Sequence, residues 1–453
     1  MKKKVVKHIL LSGNVYLAGI FFCVLVSLGI IMFQPSFLAL GSILLTAAIL
    51  ALVLFKLLRT LRADWYAVAR NLVDFFEALI PLQKQQEPIN PLKKRILIFN
   101  WRDKKHIFSG GAEVYTHELA TRWVKEGHVV TIFCGNDGKN PRHEVYEGVE
   151  VIRRGGFYFV YVWAFLYYMM RYRNSFDFII DCENGIPFFT PLYAKQKVFL
   201  LIHHVHQEVF RTSLTPPFSW LASFLELKLM PLVYKNVQVI TVSESSKKEI
   251  LHHKITKTEP IVVHNGVDLT KFQPAKKSIK PMILYLGRLQ SYKSLDVLIK
   301  AAPKILEKFP EVEFTIAGFG EEERKLRKLT KKLNISEKFN FLGRVTEEEK
   351  ISLYQKAWVF VNPSMMEGWG ITTIEANACG TPVVASNVPG LKDSVKNPHT
   401  GFLVEYGNDG AFAEKIMELL DDKQMLTVMS HEAIVWAEQF DWNKSADKIL
   451  KLL

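Results

Sequence analysis

The segment Asn362-Pro-Ser-Met-Met-Glu-Gly-Trp-Gly-Ile-Thr-Thr-Ile-Glu-Ala-Asn-Ala-Cys-Gly-Thr-Pro382 gathers residue types able to do chemistry. Two carboxylates, Glu367 and Glu375, are separated by seven residues, with Gly368 and Gly370 between them. A strand, a glycine loop and a helix starting near Thr372 would present backbone amides, those of Gly370 and Ile371 among them, to an anion. Upstream, an apolar run over Met282–Leu286 leads into Gly287-Arg288-Leu289, with Lys293 a turn later. Gly287 permits close backbone approach, and Arg288 and Lys293 supply positive charge for a diphosphate. Taken alone, such cations also fit a solvated surface. Carboxylates accept hydrogen bonds from vicinal hydroxyls, and guanidinium and ammonium groups offset phosphate charge. The combined set suits a ligand with a diphosphate, a diol and a polar sugar, which is a nucleoside-diphosphate sugar. No metal or other cofactor is demanded, because the cations themselves can stabilise a leaving diphosphate.

The elements that must hold these groups alternate short β-branched runs with helical patterns, the signature of parallel sheets. In the first half the expected strands are Arg95–Phe99, Val129–Phe133, Val149–Ile152, Phe178–Ile180, Val198–Ile202 and Val239–Val242. In the second they are Met282–Leu286, Glu313–Ala317, Phe339–Phe341, Val359–Val361 and Val383–Ala385. Amphipathic helices such as Glu113–Lys125 and Leu295–Lys308 fall between them. The composition shift at Pro274–Lys280 marks a boundary between two Rossmann-like halves.

The ordered set resembles retaining GT-B glycosyltransferases of family 4 and group 1. Glu367 and Glu375 look like that group's paired glutamates. Asn265-Gly266-Val267-Asp268 with Phe272 is similar to its interdomain motif, and Gly110-Gly111-Ala112-Glu113 to its first glycine loop. Ala317-Gly318-Phe319-Gly320 and Phe341-Leu342-Gly343-Arg344-Val345 match further stations in order. The resemblance covers about residues 93 to 445. It implies two Rossmann-like domains facing a cleft. It also implies that Glu375 holds the ribose diol, Glu367 contacts the donor sugar, and Arg288 and Lys293 clamp the diphosphate. Gly110, Gly111, Gly370 and Ile371 would add backbone amides, and Arg344 and Val345 would border the base. Ile202-His203-His204-Val205-His206 ends a strand that should point into the cleft. The resemblance assigns His203 to sugar contact, whereas His204 and His206 read as structural, with His206 also a candidate on the acceptor side. Glu183 and Asn184 could meet the acceptor, and a loop-forming role fits them equally well.

Composition completes the picture. The chain has 453 residues, 49% of them apolar, and a net charge of +13. Cys23, Cys134, Cys182 and Cys379 show no metal or redox spacing, so a reduced compartment is expected. The apolar excess is local: Val15–Phe33 and Phe37–Phe55 are uncharged and separated by Gln34-Pro35-Ser36. At about 1.5 Å per residue each could cross a bilayer core of about 30 Å. Lys2, Lys3, Lys4 and Lys7 precede the first stretch, and Lys56, Arg59 and Arg62 follow the second. This reads as a two-pass hairpin at 1–55 in the cell membrane, with both termini and the catalytic domains cytoplasmic. Two successive spans argue against a cleaved signal peptide. Attraction to anionic lipid explains the positive charge, and its diffuse spread argues against nucleic acid.

The expected organisation is therefore a hairpin over 1–55 and a juxtamembrane helix and linker over 56–92. An acceptor domain over 93–275, a nucleotide-sugar domain over 276–432 and a returning C-terminal helix over 433–453 follow. Residues 157–170 and 216–232 read as buried helices or as helices resting on the bilayer. Thr346 and Glu349 fit a capping box. The expected function is transfer of a sugar to a polyprenyl- or lipid-linked acceptor. A sugar-nucleotide epimerase or hydrolase of the same fold is the alternative, as is an inactive binder. A nicotinamide dehydrogenase is disfavoured, since no Gly-x-Gly-x-x-Gly follows Arg95–Phe99.

Overall fold

The computed structural model describes residues 93–213 and 215–453. The expected hairpin at 1–55 and the helix and linker at 56–92 lie outside the described residues. Among the described residues no helix is long and apolar enough to cross a membrane.

Two sheets organise this part. The first contains β1 (Arg95–Phe99), β2 (Val129–Cys134), β3 (His143–Tyr146), β4 (Val149–Arg153), β5 (Phe178–Glu183), β6 (Lys197–Ile202), β7 (Gln238–Thr241) and β8 (Ile261–Val262). Their spatial order is β3-β4-β2-β1-β5-β6-β7-β8. The second contains β9 (Met282–Leu286), β10 (Glu313–Ala317), β11 (Phe339–Gly343), β12 (Val359–Asn362), β13 (Val383–Ser386) and β14 (Gly401–Val404), in the order β11-β10-β9-β12-β13-β14. Every pairing is parallel except β3 with β4. Strands covered on both faces read as continuous apolar runs, as Ile96, Leu97, Ile98 and Phe99 do, all buried.

Both orders place the sites. In the first sheet the direction of winding reverses between β1 and β5, and in the second between β9 and β12. Ligands of open α/β sheets bind at such reversals, beyond the carboxyl ends of the strands. Asn100 and Asn184 stand beyond one reversal, while Gly287, Arg288 and the loop after Asn362 stand beyond the other.

The last helix, Trp442–Leu450, crosses back to pack on the helix Gly111–Lys125. Trp123 Nε1 donates to the Ala446 carbonyl at 3.0 Å, and Val267 N donates to the Phe440 carbonyl at 2.9 Å. A side chain at Gly266 would begin 2.3 Å from the Trp442 backbone nitrogen, so the expected interdomain motif needs glycine at this crossing. One apolar core consequently runs from Ile96 and Trp123 through Trp442 and Ile449 to Leu284 and Phe360.

The expected strands are all present, several one to three residues longer. Three more were not anticipated. β3 is polar and half-exposed at the sheet edge, β8 has two residues, and β14 opens on glycine. The segment expected as a buried or interfacial helix at 157–170 is helical over Gly156–Tyr167 and continues as a π-turn over Tyr168–Tyr172, with Val160, Trp163, Ala164, Tyr167 and Tyr168 buried. The capping box forms: Thr346 Oγ1 accepts from Glu349 N at 3.2 Å, and Glu349 Oε2 accepts from Thr346 N at 2.8 Å.

Candidate active site

β9 ends at Leu286, and the chain turns sharply through Gly287-Arg288 into a single 3-10 turn at Ser291–Lys293. That turn delivers Lys293 Nζ to Glu367 Oε1, forming an ion pair whose side chains are 14% and 17% exposed. The same carboxylate oxygen accepts from Ser364 Oγ at 3.1 Å and faces Asn362 Nδ2 at 3.5 Å. Arg288 donates through Nη2 to Tyr292 Oη at 2.7 Å, and Tyr292 in turn accepts at its carbonyl from Met365 N at 2.8 Å. The two loops are thus stitched together. Burial opposes the charge on Arg288, but Tyr292, Glu113 and Glu367 around it keep its pKa raised.

The N-terminal half reaches this cluster through Gly110-Gly111. A side chain at Gly110 would begin 3.8 Å from the Arg288 guanidinium, and one at Gly111 would begin 3.5 Å from Ile371 Cγ2. Gly111 and Ile371 are the first residues of two helices, Gly111–Lys125 and Ile371–Ala378, so two positive helix ends from different halves face one another. Gly370, with φ +84°, occupies the left-handed region, where a Cβ would also meet Leu391 at 2.7 Å. Cations and helix ends therefore come together in one place, an arrangement able to hold an anion.

Glu113 is a site residue that received no role from the sequence. It is buried; its Oε2 accepts from Gly110 N at 2.6 Å, and its Oε1 accepts from Arg102 Nε at 3.0 Å. The carboxylate thereby fixes the glycine loop. Its position three residues after the residue that starts a helix was the available signal.

His203 comes to the same loop from the other side. A side chain at Gly368 would begin 2.7 Å from the His203 carbonyl. The His203 ring stands edge-on to Tyr115 at 5.3 Å, and its Nε2 is buried without a hydrogen-bond partner. Burial first, and the charge on His206 second, push its pKa down to about 3, so the ring is neutral.

The other expected residues have partners of their own. Glu375 is held by residues of the neighbouring helix Glu347–Lys356. It is buried, accepts from Lys350 Nζ at 2.9 Å and from Tyr354 Oη at 3.0 Å. Arg344 reaches across to the N-terminal half, donating to the Ile107 carbonyl at 3.0 Å while lying over Phe319 at 4.2 Å; the adjoining Val345 shares that loop. Asn184 donates to Asn100 Oδ1 at 2.7 Å, closing the reversal of the first sheet.

Glu183 is fully buried. Its Oε1 accepts from Gly185 N at 2.6 Å and lies 3.2 Å from His206 Nδ1. These bonds suit the loop-forming role expected for it. Glu226 flanks the same ring at 3.6 Å. Burial alone would strip His206 of its proton, yet Glu183 and Glu226 outweigh it and hold the pKa up to about 10. Ligand atoms of Glu183, His206 and Glu226 lie within 4.8 Å of one another, near enough for a metal ion. The imidazole stands between the two carboxylates, pairing with both in a buried ion cluster.

Residues 109–271 match the family model described as Glycosyltransferase Family 4, and residues 267–436 match the one described as Glycosyl transferases group 1. A D-inositol 3-phosphate glycosyltransferase of Streptomyces bingchenggensis is 32% identical over 231 residues, covering 46% of this chain and 50% of that protein. An uncharacterized glycosyltransferase of Methanocaldococcus jannaschii is 36% identical over 204 residues, covering 42% of this chain and 52% of that protein. The chain spans about half the length of the curated relatives it matches.

Among solved structures, sucrose-phosphate synthase from Thermosynechococcus elongatus superposes with a TM-score of 0.67 at 20% identity, covering 80% of this chain and 98% of that one. Anabaena HepE in complex with UDP-glucose gives 0.63 at 19% identity, covering 80% and 100%. At such identities the likeness speaks for the fold, two Rossmann-like sheets in the GT-B arrangement. On that GT-B fold the chain carries a Glycosyltransferase Family 4 domain followed by a Glycosyl transferases group 1 domain.

Proposed function

We propose that this chain is a retaining glycosyltransferase. In this reading it moves a sugar from a nucleoside-diphosphate sugar to a lipid-linked acceptor at the cytoplasmic membrane face. The observation that carries the reading is the meeting of Arg288 and the Lys293–Glu367 pair with the Gly110-Gly111 loop and two helix N-termini.

In the proposed reaction the bond from the anomeric carbon to the diphosphate breaks, and the acceptor hydroxyl forms a new bond from the same face. Its proton passes to a departing phosphate oxygen. Arg288, Lys293 and the amides of Gly110, Gly111, Gly370 and Ile371 offset the charge that develops there. Glu367 contacts the sugar, and the neutral His203, with a free Nε2, is suited to a sugar hydroxyl. Glu375 retains lone pairs beyond those used by Lys350 and Tyr354, which the ribose diol can occupy.

The membrane part of the proposal rests on the uncharged stretches Val15–Phe33 and Phe37–Phe55 and the lysines and arginines around them. A UDP-sugar is the first donor to try, because HepE was solved with UDP-glucose. Inositol phosphate is the soluble acceptor to set against lipid, because several relatives are named for it.

The test incubates the full chain in membranes with labelled UDP-, GDP- and ADP-sugars. Label in the lipid fraction with unchanged anomeric configuration supports the proposal. Label recovered as free sugar or as an epimer supports the hydrolase or epimerase reading. Transfer to inositol phosphate alone would remove the lipid acceptor.

A further inference from the structure

We infer that the exposed face of residues 218–233 is a docking surface for an anionic bilayer, on which the N-terminal half lies without crossing it. The segment comprises a helix at Phe218–Phe224, a π-turn at Leu225–Leu229 and a helical turn at Met230–Val233. Its two faces are inverted relative to an ordinary surface helix. The buried row is Ser219, Ala222, Glu226 and Met230, which includes a carboxylate. The opposite row is Trp220, Phe224, Lys228 and Leu232, spaced four residues apart. Trp220 is 70% exposed, Phe224 55% and Leu232 69%, with Leu221 beside them at 48%.

The inversion is enforced from inside. Glu226 accepts from His206 N at 2.7 Å and from Gln207 Nε2, so rolling the helix to hide its aromatic row would bring these bonds apart. Turned outward, that carboxylate would leave the His206 and Gln207 donors without their acceptor. Since large contiguous apolar patches on a monomer mark interaction sites, the exposed row needs a partner.

Charge and composition choose which partner. Within 215–236 the exposed charges are Lys228 and Lys235, both positive. Before the segment, Arg211 is paired with Glu208 at 3.0 Å. Tryptophan at one end, phenylalanine and leucine along the row and lysine on it form the pattern of a helix lying in the headgroup plane of an anionic membrane. With Lys228 in its middle, the segment lies on a membrane and does not span it. Through Glu226 it is braced to the strand end that carries His203, so docking would orient the cleft edge with respect to lipid. This surface is distinct from the anchor proposed for residues 1–55, and its test separates the two.

The full chain and its Trp220→Phe variant are bound to phosphatidylcholine vesicles containing phosphatidylglycerol, with and without brominated acyl chains. The difference between the two emission spectra isolates Trp220 from the other tryptophans. The expected result is a blue-shifted Trp220 signal that falls at least about twofold with brominated lipid. In a Phe224→Ser/Leu232→Ser background that quenching should weaken. If the protein sediments with vesicles while Trp220 stays quenchable by aqueous iodide and not by bromolipid, membrane attachment survives and this inference fails. Concentration-dependent self-association that shields Trp220 without lipid would also overturn it, in favour of a protein interface.

Discussion

Breaking the Lys293–Glu367 pair should separate stability from activity. Replacing Lys293 with Met keeps the aliphatic stem but leaves the Glu367 carboxylate with Ser364 at 3.1 Å and a marginal contact to Asn362 at 3.5 Å. An exposed pair contributes about 0–1 kcal/mol, whereas leaving one partner of a fully buried pair unmatched costs about 3–5 kcal/mol. Side-chain exposures of 14% and 17% put this pair between those limits, at about 1–3 kcal/mol. Adding Glu367→Gln removes the orphaned charge, so Lys293→Met/Glu367→Gln should recover much of that loss in urea unfolding.

Activity should behave in the opposite way. Removing one preorganised group that stabilises developing charge costs about 2.7–4 kcal/mol, a fall of about 10²–10³-fold in kcat. The double variant should be no more active than either single one. Equal loss of stability in the single and double variants would refute the ion-pair argument. Near wild-type turnover in Lys293→Met would refute the role of Lys293 at the diphosphate.

Two further perturbations probe the cation cluster and its surroundings. Gly111→Phe should raise the KM for donor at least about tenfold, because a Cβ there already touches Ile371 at 3.5 Å and the ring beyond it must intrude between the two helix starts; isothermal titration with a nucleoside diphosphate checks it, and unchanged affinity would place the anion elsewhere. His206, flanked by Glu183, Glu226 and the His204 ring at 4.1 Å, has its pKa held up to about 10 against an ordinary value of 6.5. A group raised in the folded state stabilises fully below about pH 6.5 and loses that contribution as pH climbs towards 10. His206→Gln should therefore flatten the alkaline decline in stability measured by urea unfolding from neutral pH upwards; an unaltered decline would show that another group drives it.

The strands were readable because a parallel sheet buries both faces, which leaves nearly continuous apolar runs such as Arg95–Phe99 and Met282–Leu286 with matching boundaries in the structure. β3 escaped because a half-exposed antiparallel edge strand, His143–Tyr146, carries polar residues and no such run. The helix at 218–233 showed its apolar character in sequence, but not that its large residues face outward. That depends on where Glu226 finds donors.

The spacing of Glu367, Glu375, Arg288 and Lys293, and the glycines that flank them, determined which groups this protein can offer a diphosphate sugar, because residue chemistry and turn geometry are local. Tertiary structure alone decided which of them meet. Glu367 turned to Lys293, Glu375 was claimed by Lys350 and Tyr354, and Arg344 reached across to the Ile107 carbonyl of the other half. Each of these outcomes joins residues more than 20 apart along the chain. A buried carboxylate takes whichever donors the packing brings to it, and no local pattern encodes that choice.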